Sequence, residues 1–94
     1  MINKYLKINL GGQCPVQADI YLLNYYGYFR ARHNVATIEF YNNEKEFEDS
    51  IRPLYGFILL EKRNYNTGYL NKYFSYLLIL KGILMFYYNL YKNK

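Results

Sequence analysis

The sequence predicts an α+β fold: a four- to five-stranded antiparallel meander with a short helix and a long apolar C-terminal helix. Three observations predict it. Apolar and polar residues alternate in four runs between residues 4 and 41, the pattern of strands buried on one face. The links between these runs are short, as in an antiparallel meander. Residues 71–92 are apolar on most sides with helical spacing, the mark of a helix buried on more than one side.

In the first run, residues 4–10, Leu6, Ile8 and Leu10 share a face, and Gly11-Gly12 signals a turn. Residues 13–21 put Cys14, Val16, Ala18 and Ile20 on one face and Gln13, Gln17 and Asp19 on the other. Pro15 has no N–H, which marks an edge position or a bulge. Residues 22–27, with Gly27 at their end, are expected to close a hairpin. Residues 28–33 form the third strand, a turn begins at His33-Asn34, and residues 35–41 form the fourth strand with Ala36, Ile38 and Phe40 inward. Asn43 is a natural N-cap for an acidic first turn, with Phe47 and Ile51 four apart and Pro53 ending a short helix. Residues 57–63 offer a fifth strand, and 64–68 a loop.

The last segment takes Asn71 as N-cap and carries a narrow stripe of small or polar residues, Asn71, Ser75, Gly82, Asn89 and Lys92. Three arrangements fit it. About 20 apolar residues suffice to span a bilayer, but Lys81 near the middle opposes that. A hairpin turning at Lys81-Gly82 is a second, since Tyr, Phe and Ile also favour strands. The favoured third is a helix packed on the meander with its far side in a subunit interface, making the protein a homo-oligomer through residues 71–92.

Ninety-four residues form one domain, with residues 1–63 its β-rich part and 71–92 its C-terminal helix. A domain this small buries only about two-thirds of its unfolded surface. A single cysteine excludes an internal disulfide, and with no apolar leader-like run in residues 1–7 the expected location is the reducing cytoplasm. The net charge of +5 favours acidic or nucleic-acid partners. Fourteen tyrosines, with many Asn, Lys and Ile, suit an AT-rich genome, so aromatic abundance alone does not make a base-stacking platform. Charge is blocked: Glu39, Glu44, Glu46, Glu48 and Asp49 cluster between basic flanks.

Strand alternation sets Tyr28, Arg30 and Arg32 on one face and Phe29, Ala31 and His33 on the other. The two arginines stand about 7 Å apart, two strand rises. Such a pair suits neighbouring phosphates or carboxylates, each bound bidentately. Tyr28 would stack on a ring, and Gln17 and Asp19 would extend the polar patch. The competing arrangement is an ordinary cross-strand pair between Arg30 and Glu39. A second candidate is the segment 64–69, with Tyr69 as a stacking residue, flanked by Lys62, Arg63 and Lys72 at a helix start. Cys14 and His33 are expected in core-side structural roles, without the exposed electropositive setting a reactive thiol needs. One Cys and one His lack metal-ligand spacing, and no phosphate-binding glycine loop is present. No enzyme class, metal or cofactor is expected.

The run Gly11-Gly12-Gln13-Cys14-Pro15-Val16-Gln17-Ala18 and the run Tyr28-Phe29-Arg30-Ala31-Arg32 resemble a small family of bacteriophage and mobile-element proteins. The family shares Gly-Gly-x-Cys-Pro-Val-Gln-Ala and Tyr-Phe-Arg-Ala-Arg, and Gly68-Tyr69 before the last helix is also similar. The resemblance covers the first 40 residues and the helix start. The apolar stretch 77–90 departs from it, and no particular activity comes with it. By analogy of class alone, it implies a phage-encoded anti-defence protein. Such a protein sequesters an anionic nucleotide messenger, or occludes a host defence protein such as a CRISPR nuclease. The alternatives are a nucleic-acid-binding regulator and a small membrane-associated protein.

Overall fold

The computed structural model describes residues 6–12, 16–61 and 71–92. Five strands, β1 (Leu6–Gly11), β2 (Val16–Leu22), β3 (Tyr25–Arg32), β4 (Val35–Tyr41) and β5 (Tyr55–Glu61), pair antiparallel in chain order. A short helix α1 (Glu44–Glu48) lies between β4 and β5, and α2 (Lys72–Lys92) follows β5. The α+β meander is therefore the fold. The last segment is one continuous helix, which removes a hairpin at Lys81-Gly82. Asn71 caps it as expected, its Oδ1 accepting from the Phe74 N–H at 2.8 Å.

The inner face of the sheet is an apolar layer centred on Ile20, Phe29, Ile38 and Phe40, all 0% exposed. Helix α2 covers it over β4 and β5, presenting Ser75, Leu78, Ile79, Gly82, Ile83 and Phe86. Two members of the small-residue stripe, Ser75 and Gly82, thus face the sheet. They let the helix backbone approach closely: a Cβ on Gly82 would sit 2.8 Å from Ile38 Cγ2. The close approach leaves the Ser75 hydroxyl buried without a hydrogen-bond partner among the described residues.

Two local expectations are corrected. Residues 22–27 do not form the turn. Only Leu23 and Asn24 do, and Tyr25-Tyr26-Gly27 belongs to β3. Gly27 is a mid-strand glycine of the inner face, where a Cβ would stand 2.9 Å from the Phe40 ring. It makes room for an aromatic rather than bending the chain. The short helix ends at Glu48 with Asp49 as C-cap, before Pro53, and Ser50 just beyond it has φ 57°. There the Ser50 N–H donates to Phe47 O and the Ile51 N–H to Glu46 O, the paired bonds of a left-handed helix terminus. Ile51 therefore leaves the Phe47 face and is 48% exposed. Strand β1 runs one residue further than expected, to Gly11, and β5 begins two residues earlier, at Tyr55; the expected residues 4–5 and 62–63 lie outside the described residues.

Candidate functional site

The outer face of the sheet carries the predicted polar patch. Register aligns its side chains in rows across the strands. Gln17, Arg30 and Thr37 are direct cross-strand neighbours, and so are Asp19, Tyr28 and Glu39. Arg32 lies beside Val35 in the row beyond. Neighbouring strands are about 4.8 Å apart, so Gln17, Arg30, Arg32 and Thr37 form one compact group. Arg30, Arg32, His33, Val35 and Thr37 line a shallow cleft of about 290 Å³. A second cleft of about 350 Å³ adjoins it, lined partly by Asn9, Gln17, Asp19 and Tyr28.

The Arg30–Glu39 pair does not form. Arg30 stands opposite Thr37, which puts Glu39 on the diagonal, and the Glu39 carboxylate accepts the Tyr41 hydroxyl at 2.6 Å. Asp19 is engaged likewise, accepting from Tyr26 at 2.5 Å, and Glu44 accepts from Tyr21 at 3.1 Å. Among the described residues no ion pair holds Arg30 or Arg32, both exposed. The two carboxylates diagonal to Arg30, Asp19 and Glu39, each accept a tyrosine hydroxyl, Glu61 lies two strands from Arg32 in its row, and both arginines stay open to solvent.

Tyr28 departs from its expected role. Its ring lies on Phe47, with centroids 4.8 Å apart, and its hydroxyl donates to Gln17 Oε1 at 2.8 Å. It orients Gln17 next to Arg30, and one ring face is already covered. Phe47, brought down by α1, also contacts Tyr26 and Tyr41. His33 is corrected too. It is an exposed turn residue with φ 57°, off the core side, because strand alternation stops at Arg32. Cys14, Pro15, Tyr69 and the 62–70 segment lie outside the described residues.

The sequence reading missed the Tyr21, Tyr26, Tyr41 and Phe47 cluster and the place of Thr37. The alternation of β3 extends back from Tyr28 to Tyr26, which was a usable signal, but Gly27 reads as a turn residue. No three His, Cys, Asp or Glu side chains converge as a metal site among the described residues.

Burial, then the bond to Asp19, pushes the Tyr26 phenol far above the usual tyrosine range. Burial and the bond to Glu39 do the same for Tyr41. A phenol that titrates higher folded than unfolded contributes stability that is intact below its unfolded value and lost as pH rises past it. Thermal unfolding midpoints are therefore expected to fall once pH exceeds about 10. The Tyr26→Phe and Tyr41→Phe variants should show a shallower fall. Equal slopes in wild type and double variant would remove these two phenols as the cause.

No family model, curated protein or solved structure matches the chain.

Proposed function

We propose that this domain is a non-enzymatic binding module that takes an anionic ligand of the nucleotide class on its outer face. Arg30 and Arg32 supply the charge, Gln17 and Thr37 flank them with neutral hydrogen-bonding groups, and Tyr28 holds Gln17. One observation carries this reading: among the described residues two adjacent exposed arginines stand without ion pairs, although Asp19 and Glu39 lie diagonal to Arg30, where each accepts a tyrosine hydroxyl, and Glu61 lies two strands from Arg32 in the same row. Building a strand around two open guanidinium groups suits a bidentate anion more than self-neutralisation. A phage-encoded anti-defence role, by sequestering a nucleotide messenger or covering a host defence protein, is an analogy of class that rests on the resemblance of the Gly11–Ala18 and Tyr28–Arg32 runs.

The test is fluorescence anisotropy with a labelled adenylate dinucleotide and a labelled 12-nucleotide single strand. Arg30→Ala and Arg32→Ala should each weaken dinucleotide binding about 10- to 100-fold, the worth of a charge-assisted hydrogen bond. Their melting should change by no more than about 0.5 kcal/mol, because both side chains are exposed. If neither probe binds wild type at millimolar concentration, the reading is wrong. Preference for the single strand, with affinity falling steeply in salt, would favour the nucleic-acid-binding alternative.

A further inference from the structure

The side of α2 turned away from the sheet is apolar from Tyr73 to Tyr91 apart from Lys81 on its flank. Tyr73 and Tyr91 are 79% exposed, Leu84 71% and Leu77 63%. Leu77, Leu84 and Tyr91 are seven apart and form the crest of this face, with Tyr73, Leu80 and Tyr87 beside them at the complementary heptad positions. A monomer rarely leaves such a continuous patch to water.

We propose that a second copy of this chain covers it, with the two α2 helices packed antiparallel about a two-fold axis near Gly82. The heptad positions are self-complementary in that arrangement. Tyr73 meets the partner's Tyr91, Leu77 the partner's Tyr87, and Leu80 the partner's Leu84, each pair occurring twice. Self-complementarity is what an isologous interface requires. Burying these side chains on both copies takes on the order of 1,200 Å² out of water, the low end for a stable specific interface.

Alpha helix α2 is also long and apolar enough, by length and composition, to cross a membrane. Its sheet-facing side is filled by core contacts, however, and Lys81 interrupts the exposed side at mid-length. A flanking lysine at a helix seam lays its stem on the apolar surface and keeps its ammonium in water, whereas at the centre of a bilayer it costs a few kcal/mol.

The arrangement has a functional consequence, which rests on the anion-binding reading above. Helix α2 and the arginines lie on opposite faces of the sheet. The dimer therefore places two arginine faces back to back, pointing outward. No site is shared, and the assembly is bivalent.

Light scattering on purified protein tests the dimer independently of any ligand. Wild type should have twice the mass of one chain, and Leu84→Glu and Leu77→Glu should be folded monomers by circular dichroism. Orientation is read by disulfide trapping in a Cys14→Ser background. Leu80→Cys with Leu84→Cys should cross-link across the axis, and Leu84→Cys alone should not. A monomeric wild type, cross-linking by Leu84→Cys alone, or flotation of wild type with phosphatidylglycerol vesicles would each overturn the proposal. A wild-type dimer that binds no nucleotide would count against the anion reading alone.

Discussion

Phe86→Ala is expected to destabilise the domain by about 3–5 kcal/mol, the cost of emptying a buried aromatic site. The ring is 0% exposed. It stacks on Phe40 with centroids 4.2 Å apart and planes 5° from parallel. Tyr25 meets it edge-on at 5.0 Å and Tyr55 at 5.8 Å. One side chain thus ties α2 to β3, β4 and β5 together, and the cavity left by Ala has rigid walls on the sheet side. Against a total stability of about 5–15 kcal/mol, such a loss leaves little margin. Urea unfolding followed by circular dichroism measures it. A loss under about 1 kcal/mol would mean that α2 is not docked on the sheet through this ring.

Gly82→Leu is expected to cost about 3 kcal/mol, although leucine favours helix over glycine. The site has no room: a Cβ alone would lie 2.8 and 3.0 Å from two carbons of Ile38 and 3.5 Å from Leu59. Ile38 is 0% exposed and has nowhere to move. Accommodating a larger side chain requires lifting α2 from β4 and β5. The thermal midpoint should fall by about 12 °C or more. Gly82→Ala separates the two effects, since a helix-propensity gain of about 1 kcal/mol opposes the smaller overlap. An unchanged midpoint for Gly82→Leu would refute the close helix–sheet approach.

Much of this fold is legible in the residues. The alternation Val16, Ala18, Ile20 and Phe29, Ala31 places the inner face because a strand's side chains have a period of two, whatever else the chain does. Asn43 and Asn71 mark their helix starts because capping is settled within three residues. The glycines were harder. Gly27 reads as a turn residue and Gly82 as one of a polar helix stripe or a hairpin turn, yet each accommodates a side chain from another element, Phe40 or Ile38. A glycine's reason for being small lies with its distant neighbour, and local pattern does not contain that neighbour.

The candidate site divides the same way. That Tyr28, Arg30 and Arg32 share a face follows from alternation alone. Whether the arginines are neutralised depends on register, which a one-residue slip would change. Register put Thr37 opposite Arg30, and tyrosines brought from three strands took Asp19, Glu39 and Glu44. The sequence by itself determined the central strands, the caps and the shared faces of Val16–Ile20 and Tyr28–Arg32, because these depend on neighbours a few residues away. Only the tertiary structure decided which carboxylates meet hydroxyls, which small residues make room for the core, and which side of α2 is left uncovered. Those outcomes depend on contacts between residues far apart in the chain, fixed only when all five strands and both helices pack together.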